Sequence, residues 1–87
     1  MLQIKRTKSN RRQWKAFLPT QKGALWIHEK KNSSVFRIDA SGLFYTNLIM
    51  NCLNRMHDKW NPNDNPSFFV TKEEINRILQ CDFQEVM

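Results

Sequence analysis

Apolar residues recur with a two-residue period before position 40 and with a helical period after it. Residues 24–29 and 34–39 alternate apolar and polar side chains around Lys30-Lys31-Asn32-Ser33, the pattern of a β-hairpin. Successive strand side chains point to opposite faces. Leu25 and Ile27 should therefore share one face with Phe36 and Ile38, leaving Trp26, His28, Val35 and Arg37 on the other. Upstream, residues 13–18 form a short run containing Trp14 and Phe17, followed by Pro19-Thr20-Gln21-Lys22-Gly23, which reads as a turn.

From residue 41 to 60 the spacing predicts one long helix. Phe44, Tyr45, Leu48, Ile49, Cys52, Leu53, Met56 and Trp60 fall within one half of the helical wheel. Asp39 or Ser41 is placed to cap its start, and Pro62 to stop it. The loop Asn61-Pro62-Asn63-Asp64-Asn65-Pro66 follows, with residues 67–70 a short strand or an anchor. Thr71-Lys72-Glu73-Glu74 has the residues of a capping box, and Val70 and Ile75 suit the hydrophobic staple that accompanies one. A second helix follows, with Ile75, Ile78, Leu79 and Phe83 facing inward and fraying near Asp82.

These elements predict an α+β fold: a small antiparallel sheet of two or three strands packed on a long helix and a shorter C-terminal helix. Residues 1–12 lack any hydrophobic period and read as a flexible basic arm, so the expected organisation is an arm over 1–12 and a single α+β domain over 13–87. The chain is 40% hydrophobic and 11% aromatic, too rich in apolar area for a disordered protein.

Charge changes the picture more than composition does. The net charge is +6. Residues 1–31 hold nine basic side chains against Glu29 alone, whereas residues 32–87 hold five basic and seven acidic ones. A basic arm and hairpin on a slightly acidic body calls for a polyanionic partner, and nucleic acid suits it better than a membrane surface, because no basic amphipathic helix lies in this segment. Lys5, Arg6, Lys8, Arg11, Arg12 and Lys15 can meet regularly spaced phosphates, and Trp14 can stack on an unpaired base. Trp26 and Arg37, with Lys30 and Lys31 at the hairpin loop, complete the candidate nucleic-acid-binding set.

Other chemistry has little support in the residues. Asn47, Asn51, Asn54 and Asp58 line one side of the expected helix, but without the cations a DNA-reading helix usually carries. His28, Cys52, His57 and Cys81 are too widely spaced for a zinc site. Residues 61–72 echo a calcium loop, yet Pro66 stands where the obligatory glycine belongs and Lys72 where the glutamate does. His57 and Asp58 are neighbours on a helix and point apart, and no phosphate-binding glycine loop is present. No metal, cofactor, membrane contact or enzymatic activity is expected. Two cysteines outside any CxxC pair, and no apparent signal peptide, suggest a reducing, cytoplasmic setting.

The leading expectation is a small non-enzymatic nucleic-acid-binding protein or regulator of DNA or RNA. The alternative is an inhibitor or adaptor of phage or mobile-element type. It would bind a host protein, possibly a nucleic-acid-processing enzyme, with Trp26, Arg37 and Trp60 as anchors. A third possibility is a subunit of a larger complex whose arm orders on assembly.

Overall fold

Four strands follow one another as an antiparallel meander. Strand β1 (Gln3–Arg6) pairs with β2 (Gln13–Phe17), β2 with β3 (Ala24–Glu29), and β3 with β4 (Val35–Ser41). Helix α1 (Leu43–Leu53) and the two-residue strand β5 (Lys59–Trp60) come next. Strand β6 (Pro66–Thr71) then returns to lie antiparallel beside β4, with β5 on its outer side. Helix α2 (Lys72–Leu79) and a 3₁₀ turn (Phe83–Glu85) complete the order. The computed structural model describes residues 2–7, 13–30, 32–60 and 65–85.

The sheet runs β1-β2-β3-β4-β6-β5. Five of its strands have four or more residues, and its helices are short, at eleven and eight residues. The expected two- or three-stranded sheet on a long helix is therefore incorrect on both counts. Residues 3–6, assigned to a flexible arm, are an edge strand. An edge strand needs little apolar signal: Ile4 packs against the core while Lys5 and Arg6 stay outside, and such charges blunt an open edge. Residues 66–71, where a short strand or an anchor over 67–70 is expected, form the six-residue strand β6. Ser67-Phe68-Phe69-Val70 is too short and too uniformly apolar to show a period, although Pro66 as the first strand residue is a tolerated position.

The long helix fails at Asn54. That residue adopts a left-handed conformation (φ 53°) and its N–H bonds to the Met50 carbonyl, which ends α1. The chain then runs against β6. Arg55 donates to the Phe69 carbonyl, the Asp58 N–H to the Ser67 carbonyl (2.9 Å), and the Asp58 carboxylate accepts from the Phe69 N–H (2.7 Å). Met56 and Trp60, counted in the apolar half of the wheel, are 69% and 58% exposed. At the other end, Gly42 holds the cap position and makes no side-chain cap bond, because Asp39 and Ser41 belong to β4.

Both helices pack on one face of the sheet. Leu25, Ile27, Phe36 and Ile38 point into that layer as their alternation predicts, joined by Trp14, Ala16, Ala40, Phe68 and Val70 from the other strands. Tyr45 and Ile49 of α1, and Ile75, Ile78 and Leu79 of α2, cover them. Phe83 plugs the remaining gap, edge-on to both Trp14 (4.8 Å between centroids) and Phe36 (5.4 Å). The Thr71–Glu74 capping box forms as expected.

Two residues fix the turn after β2, one against the helical layer and one against β4. The buried Tyr45 hydroxyl accepts from the Leu18 N–H at 2.8 Å and lies 3.3 Å from the carbonyls of Leu18 and Gln21. Gly23 has φ 95°, and a Cβ there would sit 1.8 Å from the Ser41 carbonyl oxygen, so only glycine lets the turn approach β4. No helix among the described residues is long and apolar enough to cross a membrane.

Candidate functional site

Alternation leaves the other sheet face with a different set of side chains. Register places Lys5, Lys15, Trp26, Asp39 and Ser67 in one row across β1, β2, β3, β4 and β6. The next row holds Gln13, His28, Arg37 and Phe69. Both helices lie on the opposite side, so this face is open among the described residues.

Cations and rings interleave across it. The Lys15 ammonium lies 5.2 Å from the Phe17 centroid and 5.1 Å from that of Trp26. Lys5 is 5.6 Å from the Phe17 ring, and Lys30 is 5.6 Å from the Phe69 ring. Each distance falls within the range in which a ring quadrupole attracts a cation.

Beneath this layer runs a polar chain. Ser67 Oγ donates to Asp39 Oδ1 at 2.7 Å, Arg37 Nε lies 3.3 Å from the same oxygen, and His28 Nε2 lies 3.3 Å from Oδ2. On its far side, His28 Nδ1 is 3.1 Å from Gln13 Nε2. If that amide nitrogen donates, the ring proton sits on Nε2, facing Asp39. Burial alone would raise the Asp39 pKa. Hydrogen bonds from His28 and Ser67 and the charges of Arg37 and His28 outweigh it, and the carboxyl is held below its usual value.

Serine, histidine and aspartate here do not form a nucleophilic relay. Ser67 bonds the carboxylate rather than the imidazole, it is buried, and the second imidazole nitrogen faces Gln13. The ion pair with Asp39 instead orients Arg37: its Nε is turned toward the carboxylate, and its side chain stays partly exposed at the open surface.

The expected site residues divide four ways. Lys5, Lys15, Trp26, Lys30 and Arg37 meet on or beside the open face. Arg6 lies on the helix side of β1, 5.6 Å from the Trp14 ring. Lys8, Arg11, Arg12 and Lys31 lie outside the described residues. Trp14 must be withdrawn as a stacking residue, because it is 2% exposed and edge-on to Phe83 in the core. Phe17 and Phe69 take its place on the open face. Strand alternation from the buried Ala16 and Phe68 was the signal that could have found them.

The remaining candidates are dispersed. Asn47 and Asn51 are exposed on α1, but Asn54 ends that helix and Asp58 is bound to β6, so the asparagine stripe is broken. Among the described residues no group of three His, Cys, Asp or Glu could hold a metal ion. Residues 61–64 of the calcium-like stretch are outside the described set, Pro66 is in β6 and Lys72 is in α2. A shallow apolar groove between Leu18, Phe44, Leu48 and Leu79 has a volume of about 180 Å³, below the usual size of a small-molecule site.

The chain matches no family model, no curated protein and no solved structure. The open face is therefore read on its own chemistry.

Proposed function

We propose that this chain is a small nucleic-acid-binding protein or regulator, without enzymatic activity, whose contact surface is the open face of its sheet. The observation that carries this reading is the interleaving itself. Phe17, Trp26 and Phe69 each have a lysine ammonium within 5.6 Å, on a face that no helix among the described residues covers. Rings offer stacking to bases, and ammonium and guanidinium groups offer pairing to phosphates. The charge excess of residues 1–31 adds attraction at longer range. Free cysteines at Cys52 and Cys81 suit a reducing cytoplasmic setting.

Binding of labelled DNA and RNA oligonucleotides across a salt series tests it. Affinity should fall steeply and log-linearly with salt. Absence of binding at low salt would falsify the reading.

The second reading, an inhibitor or adaptor that docks on a host protein, has its own support. Leu43, Met56 and Trp60 are exposed apolar side chains on or beside the helical layer, away from the cationic rows. A protein partner retained after nuclease digestion, and lost on Trp60→Ala, favours that alternative.

A further inference from the structure

Register sets Lys5 directly opposite Lys15 on neighbouring strands. Like charges in that relation repel, and neither lysine pairs with a carboxylate among the described residues. Asp39, the acid of the same row, is held by His28, Arg37 and Ser67. Among the described residues, the groups that offset the repulsion are rings: Phe17 beneath both ammonium groups, and Trp26 beneath that of Lys15. An anion seated between the two lysines would relieve it directly.

Ring placement indicates which kind of anion. Ala16 pairs with Leu25, so Phe17 and Trp26 are diagonal neighbours on β2 and β3, a separation of about 7–8 Å. The Lys15 ammonium lies almost equally far from the two centroids. Two flat surfaces with a cation midway between them match two successive nucleotides and the phosphate that joins them.

We propose that the ligand is single-stranded nucleic acid: adjacent unpaired bases stack on Phe17 and Trp26, while Lys15, supported by Lys5, leaves the ring faces to take the linking phosphate. This inference rests on the nucleic-acid reading above and narrows it. A duplex keeps its bases stacked on one another and offers these rings nothing, so only the lysines would engage it. Stacking is tolerant of base identity, so little sequence preference is expected.

The test compares labelled oligo-dT and oligo-rU with a blunt duplex of equal length, using fluorescence anisotropy across salt. Trp26→Leu keeps apolar cover but removes the π face, and Trp26→Phe restores a ring. Thermal melts monitored by circular dichroism establish that each variant is folded. Single strands should bind more tightly than duplex. Trp26→Leu should weaken single-strand binding by roughly 5- to 150-fold and leave duplex binding unchanged, and Trp26→Phe should recover most of the loss. Lys15→Gln should weaken both ligands and lower the single-strand salt slope by about 0.7. Equal binding of duplex and single strand, with Trp26→Leu indifferent, overturns the stacking assignment but leaves the nucleic-acid reading standing. Failure to bind either ligand at low salt overturns both.

Discussion

Ser67 Oγ donates a 2.7 Å hydrogen bond to Asp39 Oδ1 across the β4–β6 junction. Both residues are buried, and the bond ties the late-arriving strand to the meander on the same face that presents Arg37.

Replacing Asp39 should therefore act on stability through pH. Its carboxyl has a folded pKa below the ordinary 3.8. A depressed acid contributes stability that is fully present above its unfolded pKa and is lost as pH falls through the folded value. Asp39→Asn should cost about 1.5–3 kcal/mol at neutral pH, the range for a hydrogen bond to a charged group. The gap between variant and wild type should then narrow below about pH 4. Urea midpoints at several pH values measure this. A gap that stays constant down to strongly acidic pH contradicts the assignment.

The two tryptophans of the hairpin strands should behave oppositely. Trp14→Ala empties a core position against Phe83 and should cost about 3–5 kcal/mol. Trp26→Ala, on the open face, should cost about 1 kcal/mol. Chemical denaturation of both variants decides it, and a larger loss at Trp26 would reverse the placement of the two faces.

Gly23→Ala should be among the most damaging single substitutions. Its φ is positive, and the new methyl would collide with the Ser41 backbone, which cannot swing aside as a side chain can. A loss of at least about 3 kcal/mol is expected, read as a fall in the thermal midpoint. Wild-type stability in this variant would mean that the turn can rearrange.

Thr71→Ala removes one half of a reciprocal pair. Glu74 N–H loses its acceptor, and the Glu74 carboxylate loses the geometry that brings it to the Thr71 N–H. The expected cost is about 1 kcal/mol, with Thr71→Ser retaining most of the stability. If serine fares no better than alanine, the cap is not the source of the effect.

Where burial is one-sided and the strand long enough, alternation carried the information. Leu25, Ile27, Phe36 and Ile38 went inward, and Trp26, His28 and Arg37 outward, as their spacing requires. Thr71 and Glu74 were legible because a cap is a local bond between residues three apart. Trp14 and Phe17 were harder. They are three residues apart, so in a strand they face opposite ways, and deciding which goes inward depends on Ala16 and on a Phe83 partner distant in sequence. The supposed helix over 41–60 failed because a wide apolar arc accommodates residues such as Met56 and Trp60 by chance. The chain leaves the helix at the left-handed Asn54, and Arg55 and Asp58 beyond it are bonded to β6, which no local window contains. Lys5 opposite Lys15 was equally hidden, since it depends on pairing between β1 and β2.

Phe83 has a consequence for how the protein is made. Trp14 and Phe36 belong to the first half of the chain, yet the ring that seals them is supplied by almost its last described residues. During synthesis from the N-terminus the meander can assemble early, since its neighbours in space are neighbours in sequence. Its apolar side must then wait, uncovered, while α1, β6 and α2 emerge. The nascent chain thus passes through a period in which this apolar face is exposed, and the gap over Trp14 and Phe36 closes only when residue 83 has cleared the ribosome.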